Sequence, residues 1–299
     1  METRKLNLLP AAGVPTLSTI LERVGPGLDP VTLLDPAAYR AARAAWSQFR
    51  TGAGFRSYGD LLTLPQNQKK LAKSETYSIG LTLASGDAAG VELCPWRTAT
   101  CSALCVGYNG NGRYQMTQHA RIVKSQFAAA HPVEFLTLLA GEIATQVAKA
   151  RANDPERVVA VRLNINSDLR FYKIVPQFFT GELFGAGVVF YDYTKNPAIL
   201  AGTGYVGKVY RLTYSLNENS NLDRVSEFLS RGGSVAAVTN RRKTTPAASA
   251  IELDGVLWPA VDGDVTDERF NDPAGVIVDL AAKGHKFDAF GDFLLKAYA

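Results

Sequence analysis

Apolar positions change their spacing near residue 76, and that change divides the chain. Upstream, residues 1–35 carry Pro10, Pro15, Pro26 and Pro30 and read as an irregular arm with room for one short helix. Asp35-Pro36 then opens a helix, with Asp35 as N-cap and proline in the first turn, and Tyr39, Ala42, Trp46 and Phe49 fall on one helical face. A loop, TGAGFRSYGD, leads to a weaker helical pattern over Leu61–Ala72. Residues 1–75 therefore read as an N-terminal arm with helices, an appendage to the larger C-terminal region.

From residue 76 to 299 strand and helix patterns alternate. Candidate strands are Tyr77–Ala84, Val158–Ile165, Val188–Tyr191, Val209–Tyr214, Ser234–Val238 and Val276–Leu280, each short and apolar on both faces, as parallel strands covered by helices should be. Helical spacing marks Arg113–Ala129, Pro132–Asn153 (with Phe135, Leu138, Leu139, Ile143 and Val147 on one face), Leu222–Ser230 and Phe287–Tyr298. Residues 251–271 read as an irregular excursion. The alternation predicts an α/β fold, a partial (β/α) barrel of about six parallel strands. The competing architecture is an open doubly wound sheet, but the turn after the first strand, SGDAAG, lacks the Gly-x-Gly-x-x-Gly fingerprint of a dinucleotide site.

Polar residues collect where the strands end. The second candidate strand runs into Asn164, Asn166, Ser167 and Asp168, and the third into Asp192, Tyr193, Thr194 and Lys195. The fourth runs into Ser215, Asn217 and Glu218, and the fifth into Thr239, Asn240, Arg241 and Arg242. In parallel β/α folds these C-terminal ends share one face and carry the chemistry. Carboxylates beside a lysine suit proton transfer, so Asp168, Asp192, Lys195 and Glu218 are the candidate catalytic groups. Asn164, Asn166, Tyr193, Thr194, Asn240, Arg241 and Arg242 are candidates for binding substrate. Arg231, Arg241, Arg242 and Lys243 form a local cationic patch suited to phosphate. The bland alternative is that such loops are polar because they are turns, with Asp168 capping a helix and Asn196-Pro197 forming a bend.

Composition narrows the class. With 46% hydrophobic and 20% charged residues the chain has the makeup of a folded domain rather than a disordered one. Lys and Arg number 32 against 28 Asp and Glu, a balance that permits a nucleic-acid partner without requiring one. No apolar run is long enough for a membrane span and the first residues lack a signal-peptide core, so a cytoplasmic protein is expected. The three cysteines, Cys94, Cys101 and Cys105, fall in one Gly-rich loop after the first strand, an odd number that argues against a disulfide framework. Three soft thiolates could hold zinc, Cu(I) or an iron–sulfur cluster. His119 stands fourteen residues on as a candidate fourth ligand, although a helix-surface or core histidine is the better reading for it. His131 reads as a helix-entry residue and His285 as a loop residue. The alternative for the thiols is that each is a small buried hydrophobe.

The segments LCPWRTATCSALC, RLNINSDL, FYDYTKNP, YRLTYSLNE and DGDVTDERFNDPAGVIVDLAAKG, in this order, resemble the gene-product-88 family of tailed phages over roughly residues 75–286. That resemblance implies a bacteriophage or prophage gene and no settled activity. In layout the chain is also similar to the radical S-adenosylmethionine enzymes, which implies Cys94, Cys101 and Cys105 as ligands of an iron–sulfur cluster that binds S-adenosylmethionine. The C-x6-C-x3-C spacing departs from that superfamily's usual C-x3-C-x2-C. The leading expectation is a metal- or cluster-dependent enzyme acting on a nucleotide or nucleic acid. Two others stand beside it: a DNA-guanine transglycosylase-like barrel with structural zinc, and a zinc-stabilised DNA-binding or replication protein without catalysis.

Overall fold

The computed structural model describes residues 13–56, 59–65, 76–152, 154–283 and 287–297. The helices are α1 (Leu17–Glu22), α2 (Pro30–Leu33), α3 (Pro36–Gly52), α4 (Ala99–Ala103), α5 (Gln115–Ala130), α6 (Pro132–Arg151), α7 (Phe171–Ile174) and α8 (Leu222–Ser230). The strands are β1 (Leu62–Thr63), β2 (Tyr77–Leu81), β3 (Val159–Arg162), β4 (Val188–Thr194), β5 (Tyr205–Val206) and β6 (Tyr210–Ser215), then β7 (Ser234–Thr239), β8 (Ala250–Leu253), β9 (Val256–Asp262) and β10 (Ile277–Ala281). All six expected strands are present, with ends shifted by a few residues.

The chain forms two compact units. One comprises Met1–Pro95, Val106–Phe190 and Gly207–Val209; the other comprises Trp96–Cys105, Tyr191–Val206 and Tyr210–Ala299. In the first unit β2, β3 and the start of β4 run parallel, with Tyr77 beside Val159 and Val159 beside Val188, and β1 adds an antiparallel edge. In the second unit the order is β4-β6-β7-β10-β9-β8. There β6, β7, β10 and β9 are parallel, while β8 and β5 pair antiparallel. Within each unit the parallel strands up to β10 follow chain order, whereas a doubly wound sheet would reverse at a switch point. The sheet is open: its order ends at β1 on one side and β8 on the other. The chain is thus α/β with a mostly parallel open sheet, and no pairing closes a barrel among the described residues.

The first unit's core is built on α6, whose Phe135, Leu138, Leu139, Ile143 and Val147 are buried as their spacing predicts. Helix α3 packs against α6, and Trp46 of α3 meets Phe127 of α5 at 5.2 Å between ring centroids. Asp35 caps α3, its carboxylate accepting from the Ala38 N–H at 2.7 Å. In the second unit Val225, Phe228 and Leu229 of α8 are buried, and Phe290, Phe293 and Leu294 form a separate apolar cluster near the C-terminus.

Three local readings need correction. Leu61–Ala72 is not a helix where it is described: Leu62–Thr63 is strand β1, and residues 66–72 lie outside the described residues. Residues 251–271 are not simply irregular, because β8 and β9 form a hairpin. Its turn, Asp254-Gly255, has φ of 52° and 74°, the paired positive values that an Asp-Gly turn supplies. The closing helix over Phe287–Tyr298 is instead a 3-10 segment, Phe287–Phe293, broken at Gly291 (φ 47°), and Tyr298 lies outside the described residues. Among the described residues no single helix is long and apolar enough to cross a membrane.

Candidate functional site

In the second unit, Lys195 follows β4 and Ser215 ends β6. The Lys195 Nζ donates to Ser215 Oγ at 2.8 Å and lies 5.6 Å from the centre of the Phe293 ring. Both Lys195 and Ser215 are half-buried, open enough to meet a ligand. Glu218, also half-buried, sits at the start of α4. Burial acts to raise its carboxyl, but hydrogen bonds from its own N–H, from the Thr98 and Thr100 hydroxyls and from the Thr100 N–H outweigh that and hold it below the usual range. A carboxylate at a helix start, fixed by hydroxyls, stays ionised at neutral pH. It is suited to accept a hydrogen bond or hold a cation, not to give a proton, and its lowered basicity makes it a weak proton acceptor.

The end of β7 is different. Arg241 is only 2% exposed. Its Nε meets Asp279 Oδ2 at 2.9 Å, and its Nη2 meets Asp262 Oδ1 at 3.0 Å and Asp264 Oδ2 at 2.9 Å. Thr239 donates to Asp279 at 2.6 Å, and Lys283 pairs with Asp264. Arg241 also donates to the Thr245 carbonyl at 3.0 Å, so it anchors the 241–245 loop from beneath. Arg241 is therefore not a phosphate contact as the sequence suggested; three carboxylates already engage it. Arg242 and Lys243, carried on the same loop, are exposed.

The remaining second-unit residues have local tasks. Asp192 is fully buried and accepts from the Tyr210 hydroxyl at 2.7 Å, which makes it part of the core and removes it from contact with solvent. Thr194 is buried and accepts from the Asn196 N–H, whose own side chain caps the next turn. Tyr193 and Asn240 are partly exposed, and the Asn240 N–H donates to the Leu295 carbonyl at 3.2 Å.

In the first unit, Asn164 staples its own loop. Its amide donates to the Leu169 carbonyl, and its oxygen accepts from the Leu169 N–H and from Ser167, all at 2.9 Å. Asn166, in the amide orientation that satisfies its neighbours, accepts from both Arg121 Nη atoms at 3.1 and 3.3 Å. Asp168 is buried, and its N–H donates to the Leu93 carbonyl at 2.8 Å. Cys94 belongs to this unit: its thiol lies 3.5 Å from the Asn166 carbonyl and 3.4 Å from the Gly86 N–H.

Cys101 and Cys105 belong to the second unit. Cys101 packs against the Phe290–Phe293–Leu294 cluster together with Leu104. Among the described residues, no group of three or more histidine, cysteine, aspartate or glutamate side chains is placed to hold a metal ion. His119 meets the Phe55 ring edge-on at 5.7 Å, and His131 stacks on Phe127 at 5.3 Å, so both imidazoles pack against aromatic rings. His285 lies outside the described residues.

The partners of Arg241 are what sequence reasoning missed. A signal existed: Asp279 stands inside the apolar strand IVDLA, and a carboxylate buried there requires a cation or donors. Thr98 and Thr100 were hidden by their place beside the cysteines.

No curated protein and no solved structure matches the chain. The sequence pattern described as Gene product 88 matches residues 60–293, which takes in most of both units. The chain therefore belongs to the gene product 88 family.

Proposed function

We propose that this is a bacteriophage-encoded enzyme that acts on a nucleotide or nucleic acid, with its chemistry at the ends of β4 and β6 in the second unit. The observation that carries the reading is the half-buried Lys195–Ser215 pair at 2.8 Å, at the C-terminal ends of two neighbouring strands. In the same unit Glu218 is kept ionised, and an anchored loop exposes Arg242 and Lys243. Lys195 supplies a cation or a proton to an anionic substrate, the ionised Glu218 accepts a hydrogen bond from it, and Arg242 with Lys243 meets phosphate.

The test is binding of a panel of ribo- and deoxyribonucleotides and short DNA at two salt concentrations. Arg242→Ala/Lys243→Ala should weaken binding and flatten its salt dependence, and Lys195→Ala should abolish turnover of whichever ligand is converted. Binding unchanged in both variants would remove the assignment.

A metal-dependent form of the reading has one observation in its favour. The parallel strands follow chain order as in a partial barrel, and the cysteine loop comes after the first of them, β2. Iron, sulfide and zinc analysis of protein purified without oxygen tests it. Metal retained in each of the single variants Cys94→Ser, Cys101→Ser and Cys105→Ser refutes it.

A further inference from the structure

Residues 106–116, VGYNGNGRYQM, expose more apolar surface than a loop of this composition needs. Val106 is 66% exposed, Tyr114 53% and Met116 60%. The loop is nonetheless held firmly. Buried Gln118 donates to the Gly107 carbonyl at 2.9 Å and to the Gly112 carbonyl at 2.5 Å, and Arg121 donates to the Gly107 carbonyl at 2.5 Å. A Cβ on Gly112 would lie 2.2 Å from the Gly107 carbonyl oxygen, and one on Gly107 would lie 2.3 Å from Ser85 Oγ. The two glycines thus let the loop fold onto itself, bringing Val106 and Arg113 to neighbouring turns. Two polar side chains are committed to holding a segment that leaves Val106, Tyr114 and Met116 exposed, and a fixed, exposed aromatic is the form of a prearranged contact.

Charge and ring geometry say what the contact is for. Arg113 lies over the Tyr114 ring, 5.4 Å from its centre, so a cation covers one face and leaves the other to a second flat group. From Val106 to Val133 the chain has no Asp or Glu, and the exposed cation there is Arg113. Neither the loop nor the helix that follows it sets a carboxylate of its own against an anionic polymer. Unpaired bases offer a flat apolar face and a phosphate together, whereas in a duplex those faces are stacked inside. We infer that this loop is a stacking platform for single-stranded nucleic acid, with one base on Tyr114 and a phosphate near Arg113. The inference rests on the nucleic-acid reading above and narrows its substrate to an unpaired strand.

Fluorescence anisotropy of a labelled oligothymidylate about twenty nucleotides long, with the full chain, tests it. The expected result is salt-dependent binding that a duplex of equal length matches poorly. Tyr114→Ala should weaken it by about tenfold or more, Tyr114→Phe should retain it, and Arg113→Ala should reduce it. Because these side chains are exposed, circular dichroism should be unchanged in all three. Equal affinity in Tyr114→Ala overturns the platform. So does self-association of the chain that Tyr114→Ala and Met116→Ala abolish, with no affinity for the strand, since the patch would then be a protein interface. Nucleotide binding that depends on Arg242 and Lys243, without affinity for the strand, defeats the platform and leaves the proposed function standing. Failure of every nucleotide and oligonucleotide to bind defeats both.

Discussion

Glu142 offers the sharpest test of how the first unit is held together. Its carboxylate, on α6, accepts from the Leu61 N–H at 3.0 and 2.9 Å and from the Leu62 N–H at 3.0 Å. From α5, buried Lys124 donates to the Leu61 carbonyl at 2.6 Å. Two helices thereby clamp one peptide at the entrance to edge strand β1. Glu142→Ala removes two hydrogen bonds to the carboxylate, leaves two buried N–H groups unmet and takes from Lys124 the buried carboxylate that acts most strongly on it. Losing one partner of such a buried pair costs about 3–5 kcal/mol. Trp46, buried in the same unit, supplies a fluorescence signal for urea unfolding, and with a slope of about 2–3 kcal/mol/M the midpoint should fall by about 1–2 M. Lys124→Met in the same chain should return part of the loss, because it removes the stranded ammonium. A loss below about 1 kcal/mol for Glu142→Ala, or strictly additive losses in the double variant, would refute the clamp. The clamp also carries a pH signature. Burial pushes the Glu142 carboxyl up to about 7 and brings the Lys124 ammonium down to about 8. A carboxyl raised on folding contributes stability that is full below its unfolded value near 4.5 and is lost as pH rises through about 7. The stability of the native chain relative to Glu142→Gln, which stays neutral, should therefore fall between pH 5 and pH 8.

Arg241→Met should destabilise the second unit by about 3–5 kcal/mol, because Asp279 would be left buried without its cation; hydrogen exchange at the β7 and β10 amides reads the loss, and unchanged protection refutes it. Arg242→Ala, on the same loop but exposed, should change stability by less than about 0.5 kcal/mol, measured by the same exchange. Cys101→Ser places a hydroxyl against Phe290, Phe293 and Leu294 and should cost about 1–3 kcal/mol, more than Cys101→Ala does; equal costs with loss of bound metal in both would restore a ligand role. Gly255→Ala should cost about 1 kcal/mol by straining the β8–β9 turn, and a thermal midpoint unmoved by it would show that the turn does not need its positive φ.

The parts legible in the sequence are those a period can carry. Six parallel strands and helix α6 follow from runs of β-branched residues and from the Phe135–Val147 stripe, since each element's burial writes directly into its spacing. The β8–β9 hairpin had its signal in Asp254-Gly255, but alternation in VLWPAVD is interrupted by Pro259, which demotes a strand pattern to an edge. The site was legible only as an address. Strand ends were rightly marked as polar, yet type alone does not separate a residue that meets solvent from one that meets the protein. Asp192, Arg241 and Lys195 are all charged residues at or near strand ends. The first is satisfied by Tyr210, the second by three aspartates, and the third, half-buried, donates to Ser215. The difference lies in residues far along the chain: Asp262, Asp264 and Asp279 for Arg241, and Tyr210 for Asp192. A run of like-looking strand ends leaves such long-range pairing unwritten. One-residue logic still applies once a single partner is known. A buried Asp279 must find a cation, Arg241 is the arginine at the end of the neighbouring strand β7, and its neutralisation there leaves the exposed Arg242 and Lys243 as the cations of that loop on which the proposed phosphate contact rests.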